Sequence, residues 1–332
     1  MIGIDLGNKF LKVCKILNFG QKKKELSVVS AMVDFTKLSN ADKLATFISM
    51  LKKMGCIEES VYLAVGGGDI INREVSVRKK IVKNLKEQII NDIEGSVSED
   101  LKKMYTSYTI IKNISEKDHN IIFSAVPMDK VNAKFSFVNS VETLSVVGVT
   151  LEDLALANAF NEFGPNYKNT ENIVLINIGY NVTNIVVLSN KELVFVKDID
   201  FGGQDITTAI ANLYSIPEKL AEEIKRREDF KQDIDFNMKN ILKKSMATLI
   251  ETLFRTIEYC VTRQFIVSVD RIVLTGGGSL IVGMDSFIEE TLGVPTEKWN
   301  PLETVKVVGY INKLQGYFLP VALGLALEKE KR

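Results

Sequence analysis

Ile2-Gly3-Ile4-Asp5-Leu6-Gly7-Asn8-Lys9-Phe10-Leu11-Lys12-Val13 sets an apolar strand, a carboxylate at the strand's end, a glycine turn and a second strand in a row. A carboxylate in that place can hold hydrated Mg²⁺ while the N–H groups of the turn approach a phosphate. Lys12, on the return strand, can add positive charge. A second stretch repeats the theme: Asn177-Ile178-Gly179-Tyr180-Asn181-Val182-Thr183-Asn184 lies in the strand-like runs Ile173–Ile178, Asn181–Leu188 and Glu192–Ile199. Thr183 offers a hydroxyl there. Two halves that each open with strand, glycine turn and strand predict an internal duplication, with a ligand gripped between one turn from each side.

Outward from the first hairpin, Glu25–Ser30 reads as a further strand after a turn at Gly20–Lys24, and Lys22–Lys24 caps an exposed hairpin tip. Leu44, Phe47, Ile48 and Leu51 recur at helical spacing, with Asn40 as cap and Gly55 as stop. Strands Val61–Val65 and Ile70–Val77 are joined by Gly66-Gly67-Gly68-Asp69. Because a strand follows, no helix N-terminus points at this triplet, and it reads as a turn rather than a phosphate loop. From Lys79 the pattern predicts helix (Ile81, Leu85, Ile89, Ile93), strand (Tyr105–Ile114), strand (Ile121–Val126) and helix (Val131, Phe135, Val138, Leu144 after Pro127), an inserted unit of about 70 residues. Glu152–Phe163 is a helix, and Gly164–Thr170 marks a boundary. In the second half, helices are expected near Gln204–Tyr214, Pro217–Arg227, Phe236–Gln264 and Phe318–Leu327, with a strand at Arg271–Leu274.

The 332 residues suffice for two domains, and 46 % hydrophobic with 25 % charged residues describes a folded globular chain. Forty-two basic residues balance 42 acidic ones, which gives no electrostatic reason for nucleic-acid binding. Cys14, Cys56 and Cys260 form no CxxC pair and read as buried apolar residues of a reducing compartment. The single His119, in the polar stretch Ser115–Asn120, reads as a loop residue, and one histidine argues against histidine-based triads and multi-histidine metal sites. Met1 runs straight into a strand with no signal-like segment, no run approaches a membrane span, and Glu328–Arg332 is all charged rather than an amphipathic anchor. The expectation is a cytoplasmic protein that meets a membrane only through a partner.

Two further elements carry chemistry. Leu274-Thr275-Gly276-Gly277-Gly278-Ser279 ends a strand in glycines, which lets a flat base or a ribose phosphate lie against backbone. Glu222 and Lys225, three apart on one helical face, could meet ribose hydroxyls or simply pair with each other in solvent.

The ordered set of Asp-x-Gly hairpin, second glycine hairpin, Glu-x-x-Lys helix and Gly-Gly-Gly strand end resembles the phosphate, ribose and adenosine motifs of the actin/Hsp70/FtsA superfamily. A closer resemblance, to the PilM family of type IV pilus assembly proteins, rests on Ile2–Val13, Gly148–Phe163 (with GVTLEDLALANAF), Gly202–Lys225 and Leu274–Pro301, and so spans most of the chain. It implies an α/β, actin-like (ribonuclease H-like) duplicated fold with an FtsA/PilM-type inserted subdomain. The implied division is 1–78 with 150–170 as the first half, 79–149 as the insert, 171–213 with 270–332 as the second half, and 214–269 as its helical subdomain. The implied ligands are ATP and Mg²⁺, the metal held by Asp5 through water. Asp5, Gly7, Asn8, Lys9, Lys12, Asn177, Gly179, Asn181, Thr183, Gly203, Glu222, Lys225, Gly276, Gly277, Gly278 and Ser279 would make the nucleotide site. Asn177 stands where relatives carry Asp, and Asn8 where they favour a small hydroxyl residue. The amide cannot pull on Mg²⁺-bound water as a carboxylate does, so the chain is expected to be at most a weak ATPase.

The resemblance implies a cytoplasmic ATP-binding scaffold of a type IV pilus or related secretion complex, holding the cytoplasmic tail of a PilN-like inner-membrane protein beside the inserted unit. An FtsA-like filament former and a small-molecule kinase of the same superfamily are the alternatives, and self-association stays open. No residue marks the carboxylate base that a kinase would need.

Overall fold

The computed structural model describes residues 1–18, 27–78, 89–90, 100–111, 118–168, 170–226, 238–307 and 313–328. The chain begins with β1 (Ile2–Leu6), β2 (Phe10–Asn18), β3 (Ser27–Asp34), helix α1 (Asn40–Met54) and β4 (Ser60–Val65). Next come β5 (Ile71–Arg78), β6 (Met104–Ile110), β7 (Asp118–Pro127), α2 (Met128–Asn139), β8 (Ser145–Leu151) and α3 (Glu152–Phe163). The second half carries β9 (Asn172–Ile178), β10 (Thr183–Ser189), β11 (Glu192–Ile199), α4 (Gly203–Tyr214), α5 (Glu218–Ile224), α6 (Met238–Ser245) and α7 (Ala247–Thr262). Then follow β12 (Arg271–Thr275), α8 (Met284–Leu292), β13 (Thr296–Lys298), β14 (Lys306–Val307) and α9 (Pro320–Ala326).

Two sheets share one plan. The first has the order β14-β3-β2-β1-β4-β8, the second β11-β10-β9-β12-β13. In each, an antiparallel triple continues into parallel strands: β4 and β8 beyond β1, β12 and β13 beyond β9. The expected duplication is therefore visible as topology. Helices α3 and α9 pack between the sheets at very close range, since a Cβ on Gly324 would lie 1.7 Å from the Ala155 carbonyl oxygen and one on Gly3 2.1 Å from that of Ala322. All seven residues of α9 are buried.

Helix α1 shows how local sequence serves packing. Ser39, not Asn40, caps it: its Oγ accepts from the Asp42 N–H (3.2 Å), and Gly55 ends it in the left-handed region at φ +64°. Phe47, Met50 and Leu51 face inward, and Phe47 stacks on Phe137 at 5.5 Å. Each such side chain contributes about 1.5–3 kcal/mol by leaving water.

A third sheet has the order β5-β7-β6. It takes β5 from residues ahead of the expected limit at 79, whereas β8, from inside the expected insert, pairs with β4 of the first sheet. Of the expected helix at Ile81–Ile93, only Ile89 and Ile90 fall among the described residues, and the Lys22–Lys24 tip lies outside them. His119 is in strand β7 opposite Val77, not in a loop, because pairing with β5 overrides the polar composition of Asp118–Asn120. The helix expected over Phe236–Gln264 breaks at Met246 into α6 and α7. Leu242, Met246, Leu249 and Leu253 are all buried, so the apolar period runs through the break unmarked. The three cysteines are free and buried, as expected.

Candidate functional site

The two glycine hairpins have the same construction. The Gly7 N–H donates to the Phe10 carbonyl (3.1 Å) and the Gly179 N–H to that of Val182 (2.9 Å). The strand register then sets Asp5 opposite Lys12 and Asn177 opposite Asn184, the same two places in each half. In the first half these places hold an ion pair, with Lys12 Nζ 2.5 Å from Asp5 Oδ2 and the Asp5 side chain 4 % exposed. In the second they hold amides, Asn177 Nδ2 donating to Asn184 Oδ1 at 2.8 Å.

A cavity of about 510 Å³ lies between the hairpins. Gly276, Gly277 and Gly278 form part of its wall, pressed against the second hairpin: a Cβ on Gly276 would lie 2.4 Å from the Ile178 carbonyl oxygen and one on Gly278 2.2 Å from Ile178 Cγ2. Gly276 also has φ +82°, so this strand end depends on glycine twice over.

Glu222 gathers three cations. Lys225 is 2.5 Å away, Arg226 2.5 Å, and Lys9 reaches across from the first hairpin at 3.3 Å while lying over the Tyr180 ring at 4.9 Å. Burial opposes charge on Glu222, yet Lys225, the Thr207 hydroxyl and Arg226 hold its pKa down at about 2. Burial brings the Lys225 ammonium down to about 8, with Glu222 resisting. Lys225 also donates to the Gly203 carbonyl (2.8 Å) and Thr207 (2.6 Å), which fixes it at the start of α4.

Most of the sequence-predicted set converges here. Asp5, Gly7, Asn8, Lys9, Lys12, Asn177, Gly179, Asn181, Gly203, Glu222, Lys225 and the three glycines at 276–278 all line the cavity. Thr183 and Ser279 do not. Thr183 is fully buried and donates to the Phe201 carbonyl (2.8 Å), because it neighbours the cleft-facing Asn184 on the strand and so points to the opposite face. Ser279 is likewise buried and closes its own turn on the Gly276 carbonyl at 2.7 Å.

Several lining residues were not foreseen. Glu152 opens α3 at the end of β8; burial raises its carboxyl pKa, Asp5 and Asp198 add to the rise, and Lys134 of α2 stands 3.6 Å away. Lys130, on the same face of α2, binds Asp69 and the Gly66 carbonyl. The Gly66–Gly68 turn lines the cavity, but its donors are taken by the second half: Gly67 N–H donates to Asp198 (2.7 Å) and Gly68 N–H to Asp200 (3.1 Å). Asp198 also accepts from Asn184 (2.7 Å) and lies against the buried Asp153. Burial first, then the charges of Asp198 and Glu152, push Asp153 well above the usual carboxylate range, and burial raises Asp198 as well. One sequence signal was available. Gly66, Glu152 and Gly276 all follow the carboxyl ends of parallel strands, where open α/β sheets form their crevices.

The lining carries six cations against five carboxylates, one of which, Glu152, is biased towards neutrality, so the cavity favours an anion. Among the described residues no three His, Cys, Asp or Glu side chains converge as a metal cage. A single carboxylate beside lysines and bare turns suits Mg²⁺ that keeps most of its water and shares phosphate oxygens. The donor set thus fits a nucleotide with hydrated Mg²⁺.

This duplicated architecture is the actin-like ATPase fold. The closely fitting solved structures include a PilM–PilN type IV pilus biogenesis complex, at TM-score 0.79 and 21 % identity over 98 % of this chain and 97 % of the other. MreB5 of Spiroplasma citri bound to ADP fits at TM-score 0.52 and 13 % identity, over 96 % of this chain and 94 % of the other. In sequence, the cell shape-determining protein Mbl of Bacillus subtilis is 24 % identical over 258 residues, 68 % of this chain and 76 % of Mbl. The family model for type IV pilus assembly protein PilM matches residues 3–330, and the chain belongs to that family.

Proposed function

We propose that this chain is an ATP-binding scaffold of a type IV pilus or related assembly complex, recruited from the cytoplasm to the inner membrane by the tail of a PilN-like protein. The observation that carries the nucleotide reading is the pair of equivalent hairpins facing a cation-rich cleft. Asp5 would hold hydrated Mg²⁺, Lys12 and the N–H groups of both turns the phosphates, Glu222 and Lys225 the ribose, and the glycines at 276–278 the base. When bound, the nucleotide supplies a charged strut between the halves. Asn177 offers no charge to a metal-bound water, and Glu152 is held towards its protonated form. Both favour binding over rapid turnover.

The partner reading is supported by a second cavity, of about 320 Å³, between β6 and β8. Each is an edge strand of its sheet, so backbone donors and acceptors of two sheets border one slot. Tyr105 and Val149 stand exposed at its rim and Val65, Val126 and Leu151 line its floor. An extended apolar segment can add to such edges as a strand. No helix among the described residues is long and apolar enough to cross a membrane, so a membrane protein's tail is the occupant that would bring this chain to a bilayer.

Calorimetric titration of ATP with and without Mg²⁺ tests the first part: saturable Mg²⁺-dependent binding is expected, and none at millimolar ATP would sink it. For the second, a fluorescent peptide copying the cytoplasmic tail of a PilN-like protein should bind the native chain and lose at least tenfold in affinity to Val149→Glu. Equal binding to both would remove the slot from the proposal.

A further inference from the structure

The nucleotide cleft and the strand-edge slot share a wall. Three successive-residue steps cross it: Val65 lines the slot and Gly66 the cleft, Val131 the slot and Lys130 the cleft, Leu151 the slot and Glu152 the cleft. Helix α2 spans the wall. On its cleft side Lys130 bonds the Gly66 carbonyl (3.1 Å) and pairs with Asp69, while Lys134 bonds the Ala64 carbonyl (2.9 Å) and faces Glu152. On its slot side Val131 packs with Val65, Val126 and Leu151, and Asn132 accepts from the Tyr105 hydroxyl of β6 (3.2 Å).

The cleft has an order from one end to the other. Glu222 with Lys225 and Arg226 marks one end, and Lys9 connects it to the first hairpin. Asp5 and Lys12 hold the middle. Glu152 feels the charges of both, and Lys134, Lys130 and the Gly66–Gly68 turn lie beyond it. A nucleotide with its sugar at Glu222 and its phosphates between the hairpins points its last phosphate at the two lysines of α2.

We propose that Lys130 and Lys134 read the terminal phosphate in the cleft, and that the shared wall links that reading to the extended segment bound in the slot. This deepens, and rests on, the scaffold reading. Lys130 and Lys134 are now held by the half-exposed Asp69, by Glu152 and by carbonyls of the wall, and the exposed Lys130–Asp69 pair adds little free energy. A terminal phosphate, with more charge and three acceptor oxygens, competes with Asp69 and Glu152 for them. Drawing the lysines towards the cleft shifts α2, and Val131 and Asn132 move with it against β6. Linkage makes the effect reciprocal: a segment in the slot changes the affinity for ATP over ADP by the same factor that ATP over ADP changes the affinity for the segment.

The test reads backbone amide exchange in the full chain with no nucleotide, with Mg-ADP and with Mg-ATP, each at saturation. Mg-ATP should slow exchange across Met104–Ile110 and Ser145–Leu151 at least threefold relative to Mg-ADP. The Lys130→Gln, Lys134→Gln double variant should lose about tenfold of the ATP-over-ADP preference in calorimetry, and its slot strands should exchange alike with either nucleotide. Lys130→Gln alone, at a partly exposed side chain, should show part of both losses and covers the case in which the double variant does not fold. Tight, Asp5-dependent nucleotide binding with identical exchange for ATP and ADP would overturn the linkage and leave the scaffold reading standing. Failure of the native chain to bind either nucleotide would overturn both.

Discussion

The two hairpins are the same device with different electrical content. Each closes its turn with a glycine N–H, and each sets two side chains opposite one another at the cleft. The first places the pair Asp5 and Lys12 there, and the second places two amides. In the second half the carboxylate lies further in: Asn177 donates to Asn184, Asn184 to Asp198, and Asp198 lies against Asp153 and accepts from the Gly67 N–H, both from the other half. One hairpin thus brings charge to the cleft. The other is arranged to hold the halves together through neutral and proton-sharing contacts. The two hairpins share a backbone and differ in the charge they carry.

The largest break of this contrast is Asp5→Ala. It removes the carboxylate proposed to hold hydrated Mg²⁺ and leaves Lys12 without its partner. ATP affinity in calorimetry should fall about hundredfold, close to 3 kcal/mol, with a similar loss of folding stability. An unchanged affinity would mean that the first hairpin is not the charged one in function.

The next effect belongs to the buried acids. Their pKa values are raised in the folded protein, so it keeps a proton that the unfolded chain releases near pH 4. The stability from this proton is present below pH 4 and is lost as pH rises through the folded value, with a slope of about 1.4 kcal/mol per pH unit. Asp153→Asn, neutral at every pH, should flatten urea-unfolding midpoints across that window; profiles parallel to the native one would show that no proton is shared.

Asn177→Asp makes the second hairpin more like the first. It should raise the Mg²⁺ dependence of ATP affinity about fivefold, and cost about 1 kcal/mol because Asn184 Oδ1 then faces an oxygen instead of a donor. Smallest in affinity is Thr183→Val. Its hydroxyl braces Phe201 rather than a phosphate, so thermal unfolding should register about 1 kcal/mol while ATP binding changes less than twofold. A large loss of binding would return Thr183 to the site.

The hairpins themselves were legible because a strand, a glycine turn and a strand are local, and the seven-residue offset from Asp5 to Lys12 recurs from Asn177 to Asn184. What failed locally failed by parity: Thr183 sits one residue from a cleft-facing position, and alternation sends it inward. What was missed entirely comes from topology. Lys130, Lys134, Glu152 and Asp198 lie on three different elements, and only strand order brings the end of β8, the start of α2 and the inward face of β11 to one place. Each alone is an ordinary charged residue near a helix or strand end. The break at Met246 was hidden for the opposite reason, since a continuous apolar period cannot report a bend that keeps the same face buried.

Helix α9 has a consequence for how the protein comes to exist in the cell. Strand β1 is covered by residues made some three hundred positions later, with Ala322 against Gly3. Strand β3 likewise receives its neighbour β14 only at Lys306–Val307. A ribosome emits the chain over tens of seconds at roughly 5–20 residues per second. Through that interval the amino-terminal sheet waits, incomplete and sticky, for its cover. Stalled or shortened nascent chains that lack Pro320–Ala326 are therefore the forms expected to aggregate.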